Sequence, residues 1–239
     1  MSGVQVWYAF PLDVSDGDLQ TQLFLLSDDE KKRYSAFRFD THRHHYLAAH
    51  VLLRRAISIC TSCRPEEIQF ARTSDGKPYC IPINDGDKIE FSLTHTHGLV
   101  ACALSDLPVG IDAEWTGRKA NDDLLRTALS EEEFIQLQCC DPRTQHRRFL
   151  EYWTLKEAYL KAIGKGLSIN LKSVSFDLAN CKSIRLGPMT VGVSEASMAE
   201  HWRFHLHSNM FNEHVLAIAI QEQHPCRESE IIQAMNLLS

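Results

Sequence analysis

The sequence predicts an α+β fold made of two similar units, each of about 110 residues. Two S-x-x-E segments, beginning at Ser27 and Ser130, each have the form of a capping box ahead of a helix. Each is followed by a long helical pattern, then an I/V-x-F run, then a closing hairpin of alternating character. The two hairpins, 97–104 (HGLVACAL) and 213–220 (EHVLAIAI), resemble each other and suggest a duplication.

In chain order, residues 4–10 alternate and are rich in β-formers, so they read as a strand. After the first capping box, a helix over 41–59 places Tyr46, Ala49, Val51, Leu52, Leu53, Ala56 and Ile57 on one broad apolar face. Turn residues fill 73–78, and strands are expected at 89–93, 99–104 and 109–114. In the second half a helix is expected over 148–163, ended by Gly164-Lys165-Gly166. Strands follow at 173–177, 202–207 and 214–220. The predicted division is 1–108 for the first α+β half and 109–239 for the second.

Composition narrows the function classes. The 239 residues are 44% hydrophobic and 23% charged, ordinary for a globular protein with a core. A net charge of -6 argues against a general nucleic-acid binder, though not against a local basic pocket for a small polyanion. The first residues lack the basic and apolar regions of a signal peptide, and no apolar run approaches a membrane span of about 20 residues. The scattered cysteines suit reduced thiols, so a cytoplasmic protein is expected. The Cys60/Cys63 pair has no second pair at zinc-ligand spacing, and His42, His44, His45 and His50 read better as solvated or phosphate-facing than as zinc ligands.

Three groups of residues carry chemistry. Asp112 and Glu114 are two apart on a strand, so both carboxylates share a face and can share a cation. Hard oxygen donors without Cys or His suit magnesium, which keeps waters and completes its shell with substrate phosphate. Glu157 and Lys161 are i,i+4 on a helix face, close to the glycine-flanked basic loop 164–167. Upstream, Arg72 and Lys77 are suited to phosphates, Arg as a fork and Lys as a point charge, with Thr94-His95 closing a strand nearby. Singly, each of these has an ordinary surface explanation.

Together they resemble the Sfp-like 4′-phosphopantetheinyl transferase family. Gly110-Ile111-Asp112-Ala113-Glu114 matches its G-I-D-x-E segment, and residues 153–167 (WTLKEAYLKAIGKGL) match its W-[ST]-x-K-E-[AS]-x-x-K-x-x-G-x-G-L segment. Gly76-Lys77-Pro78 matches a G-K-P turn and Thr94-His95 an S-H motif, with Thr in place of Ser. Arg33, Arg38, Arg43 and the 46–55 run match an arginine-rich helix, so the resemblance spans nearly the whole chain in order.

The resemblance implies two similar α/β halves related by pseudo-twofold symmetry, with a coenzyme A cleft between them. It implies Asp112, Glu114 and Glu157 as ligands of Mg2+, and Glu157 and Lys161 as catalytic groups. Arg43, Arg72, Lys77, Thr94, His95 and Lys161 would hold coenzyme A, the substrate. The implied activity is that of a holo-[acyl-carrier-protein] synthase type enzyme, most simply a monomer, whose partner is an acyl or peptidyl carrier protein rather than nucleic acid or membrane. A basic and apolar edge at Leu167, Ile169 and Lys172 is a candidate carrier-docking surface. The alternatives are a non-catalytic binding module for coenzyme A or carrier, and a hydrolase of nucleotide-like pyrophosphates. An intact acidic triad favours the enzyme.

Overall fold

The computed structural model describes residues 3–74, 76–82, 88–178, 184–186, 201–222, 230–235 and 237. The chain divides into two compact units, Met1–Asp106 with Arg227–Ser239, and Leu107–Cys226. Each mixes helix and strand, so the predicted α+β class holds. The segment Arg227–Ser239 groups with the first unit.

In the first unit, β1 (Val4–Ala9) leads through α1 (Asp16–Gln20) and α2 (Asp28–Ala36) to the long α3 (Asp40–Thr61). There follow β2 (Phe70–Arg72), β3 (Pro78–Cys80), β4 (Glu90–Thr96) and β5 (Leu99–Ser105). Leu47, Val51, Leu52 and Ala56 recur at helical spacing on α3 and are fully buried with Val100, Cys102 and Leu104 of β5. Each large aliphatic chain so placed contributes roughly 1.5–3 kcal/mol. β4 and β5 form a hairpin whose two-residue turn ends on Gly98 at φ 73°, a left-handed conformation that glycine adopts without strain.

The second unit opens on β6 (Val109–Trp115), then α4 (Asp122–Ala128), α5 (Glu131–Gln138) and α6 (Pro142–Ala162). The short β7 (Phe176–Asp177) and β8 (Arg185–Leu186) pair with each other, and β9 (His201–Met210) and β10 (His214–Glu222) form a hairpin. The sheet order here is β6-β10-β9. The last strand, β11 (Glu230–Ala234), returns to the first unit and lies parallel to β1, giving the order β11-β1-β5-β4.

Three expectations need correction. Helix α6 begins at Pro142 rather than 148, because the Asp141 side chain accepts from Arg143 N–H and proline occupies the first turn, where no N–H is needed. The strand expected over 173–177 shrinks to Phe176–Asp177. Asn170 accepts from Lys172 N–H and winds Leu171–Ser173 into a tight turn instead. The first I-x-F run joins its strand only at Phe70.

Both predicted capping boxes are present, and both do more than cap. At Ser27 the Glu30 carboxylate accepts from Ser27 N–H at 2.8 Å. The same carboxylate takes the buried Arg54 guanidinium of α3 at 2.6 Å and His50 at 2.9 Å. At Ser130 the Glu133 carboxylate accepts from Ser130 N–H at 2.8 Å and pairs with the fully buried Lys156 ammonium of α6 at 2.5 Å. In each unit a helix cap is thus bolted to the long helix through a buried charge pair. Among the described residues, no helix is long and apolar enough to cross a membrane.

Candidate functional site

Period-two alternation along β6 sends Gly110, Asp112 and Glu114 to one face and Val109, Ile111 and Ala113 to the other. The first face receives α6. A Cβ placed on Gly110 would lie 1.9 Å from the Ala158 carbonyl oxygen and 2.7 Å from Ala162 N, so only glycine lets the helix backbone come this close. With that contact made, the side chains one turn apart on α6 come down along the strand. Lys161 Nζ donates to Asp112 Oδ1 at 2.7 Å and to the Ile111 carbonyl at 3.0 Å. Trp153, two turns earlier, hydrogen-bonds Glu114. Glu157 lies between them on the helix and is half-buried.

The carboxylates feel one another. Burial first, and then the charge of Asp112, push Glu114 up to about 7, while Arg118 and Lys161 oppose the shift. Burial and Asp112 also raise Glu157. Among the described residues, no three His, Cys, Asp or Glu side chains close into a metal cage. Instead, basic side chains sit on the acids, Lys161 on Asp112 and Arg118 on Glu114. The donor chemistry fits magnesium all the same. The donors are hard carboxylate oxygens alone, and their mutual repulsion is what a divalent cation relieves. Magnesium also needs few protein groups, because it keeps waters.

The neighbour of Glu157 has a different task. Lys156 is fully buried and donates to the Ala128 carbonyl at 2.7 Å and the Leu171 carbonyl at 3.1 Å, besides pairing with Glu133. Those three acceptors fix the rotation of α6 and so the direction in which Glu157 and Lys161 point. Sequence reasoning passed over Lys156, Glu133 and Arg118. The capping box was a signal for Glu133, but its reach to Lys156 is tertiary. Arg118 follows Glu114 in a turn, Trp115-Thr116-Gly117-Arg118, where sequence spacing implies no contact.

The remaining predicted residues belong to the first unit. Arg43 donates to the Phe37 carbonyl at 2.7 Å and pairs with Asp40, bracing the passage from α2 to α3. Arg72 donates to the Gly76 carbonyl at 2.8 Å across the β2–β3 turn, and Lys77 pairs with Glu90 at 3.3 Å. Thr94 is buried near the end of β4 and His95 beside it is exposed. The histidines of α3 are used locally. His44 meets the Pro11 carbonyl and Asp16, His45 meets the Thr41 carbonyl, and His50 meets Glu30. Of the suggested docking edge, the Leu167 side chain lies outside the described residues, Ile169 packs on the core and Lys172 is exposed.

Comparison with known proteins bears on the family of the chain. Residues 108–219 match the model of the 4′-phosphopantetheinyl transferase superfamily, and residues 13–106 match that of the 4′-phosphopantetheinyl transferase N-terminal region. A phosphopantetheinyl transferase of Thraustochytrium sp. is 30% identical over 210 residues, covering 82% of this chain and 70% of its own. The 4′-phosphopantetheinyl transferase HetI of Nostoc sp. is 30% identical over 167 residues, covering 69% and 70%. Sfp of Bacillus subtilis is 31% identical over 153 residues, covering 64% and 66%. A holo-(acyl-carrier-protein) synthase structure from Bacillus anthracis, in complex with CoA (3′,5′-ADP), covers 49% of this chain and 97% of its own at 20% identity and a TM-score of 0.41. With both halves matched to models of one group and relatives at this identity spanning most of the sequence, the chain belongs to the 4′-phosphopantetheinyl transferase superfamily.

Proposed function

We propose that this chain moves the 4′-phosphopantetheine arm of coenzyme A onto a serine of an apo-acyl or peptidyl carrier protein, with magnesium, releasing adenosine 3′,5′-bisphosphate. The observation that carries the proposal is the stacking of α6 on β6 through Gly110, which gathers Asp112, Glu114, Glu157 and Lys161 on one face. Magnesium, held by Asp112, Glu114 and Glu157, would neutralise the pyrophosphate as its charge shifts.

The serine oxygen attacks the β-phosphorus, and the bond from that phosphorus to the bridging oxygen breaks. The bridging oxygen leaves with the adenosine bisphosphate. Lys161, already poised over Asp112, offsets charge on the leaving side. Glu157 would accept the serine proton. Arg43, Arg72, Lys77, Thr94 and His95 are proposed to hold the nucleotide part of coenzyme A, as the family motifs suggest. Action as a cytoplasmic monomer is part of the same proposal.

Mass transfer from coenzyme A to a purified apo-carrier protein, with and without magnesium, tests the reaction. Asp112→Ala is expected to stay folded by circular dichroism yet lose nearly all loading, because several kcal/mol of transition-state stabilisation goes with a metal carboxylate. Loading by that variant at the wild-type rate would show the site assignment to be wrong.

A further inference from the structure

Arg118 has no part in the reading above, yet its guanidinium is held on two sides. It pairs with Glu114 Oε1, and its central carbon lies 5.0 Å from the centroid of the Trp153 ring. Its own N–H donates to the Trp115 carbonyl at 3.0 Å, which ties the turn to the end of β6. The side chain remains 39% exposed, so it has room to move. Lys161 occupies the matching position on Asp112.

The charges can be counted within this unit. With Asp112, Glu114 and Glu157 ionised the acids total -3, and Arg118 with Lys161 adds +2, leaving -1. A divalent cation alone would take the site to +1 and would compete for carboxylate oxygens that Arg118 and Lys161 already hold. A pyrophosphate diester alone carries -2 and would take it to -3. Entering together, the two ligands cancel and leave the site at -1. Close charges in a partly buried site make either unbalanced state costly.

We propose that Arg118 and Lys161 are exchangeable counter-cations: they release Glu114 and Asp112 to the metal and turn to the pyrophosphate oxygens, so that metal and pyrophosphate bind as a pair. Arg118 is thereby a second phosphate-binding residue of the site. Its guanidinium fork matches phosphate oxygens, and the Trp153 ring keeps it in place once Glu114 lets go. The proposal rests on the functional reading given above.

Isothermal calorimetry on the full chain tests it, with Mg2+ alone, coenzyme A alone, and each in the presence of the other. In the wild type each ligand is expected to tighten the other by about tenfold or more, within the usual range of coupling between sites. In Arg118→Gln, Mg2+ alone is expected to bind about tenfold tighter, and the mutual tightening to shrink by about tenfold, the size of one charge-assisted contact. Arg118→Lys keeps the charge and is expected to retain most of the coupling, and its unfolding midpoint serves as the folding control. Wild-type Mg2+ affinity together with wild-type coupling in Arg118→Gln overturns the exchange and leaves the transferase reading standing. A wild-type chain that binds neither Mg2+ nor coenzyme A overturns both.

Discussion

Replacing Gly110 with alanine tests how the site is assembled, because that residue touches no proposed ligand. The added Cβ would fall 1.9 Å from the Ala158 carbonyl oxygen and 2.7 Å from Ala162 N. Both are helix backbone atoms, which cannot rotate aside as a side chain would. Ordinary contact begins at 3.4 Å, so α6 must withdraw by about 1.5 Å at this point. Overpacking of this kind costs roughly 3 kcal/mol, which lowers the unfolding midpoint by about 10 °C in a chain of this size. The displacement matters more than the stability. Glu157 and Lys161 ride on the displaced segment, and a misplacement of about 1 Å costs on the order of 100-fold in rate. Carrier loading followed by mass spectrometry, at a temperature where circular dichroism shows the variant folded, is the assay. A Gly110→Ala chain that loads carrier at the wild-type rate would refute the argument that strand–helix contact sets the site.

Other perturbations separate fold from chemistry. Lys156→Met leaves Glu133 buried without its cation and is expected to destabilise by about 3–5 kcal/mol in a denaturant titration, with the double variant Glu133→Gln/Lys156→Met recovering part of the loss. Glu30 is the acid-sensitive group of the first unit. Although burial raises its pKa, His50 and Arg54 outweigh that and hold it down at about 2, from an ordinary 4.5. A depressed carboxylate stabilises above its unfolded pKa, and the contribution disappears as pH falls through the folded one, so about 3 kcal/mol should be lost between pH 4.5 and 2. Urea midpoints measured across that window should flatten in Glu30→Gln.

Local rules made much of this molecule legible in the sequence. Alternation placed Asp112 and Glu114 on one face of a strand, and helical spacing placed Glu157 with Lys161. The serines at 27 and 130 marked both helix starts. What escaped were contacts that need distant elements. The value of Gly110 depends on a helix some fifty residues away. Lys156 looks like a surface cation beside Glu157 until the Ala128 and Leu171 carbonyls and Glu133 close over it. The pairing of Arg118 with Glu114 follows from a turn whose conformation spacing does not predict. Strand β11 was missed because a short run around Ile231 and Ile232 has no local signal stronger than that of a helix end.

The place of β11 also bears on how the chain is made. Its partner β1 leaves the ribosome early, and β11 emerges only after the whole of Leu107–Cys226 has been synthesised. At cellular elongation rates that interval is roughly six to twenty-five seconds, far longer than a small domain needs to fold. During it the sheet of the first unit carries an open edge at β1, the kind of edge that recruits stray strands. The nascent chain is therefore most exposed to aggregation while its proposed metal-binding unit is still being translated, and the first unit is completed only after the second has been made.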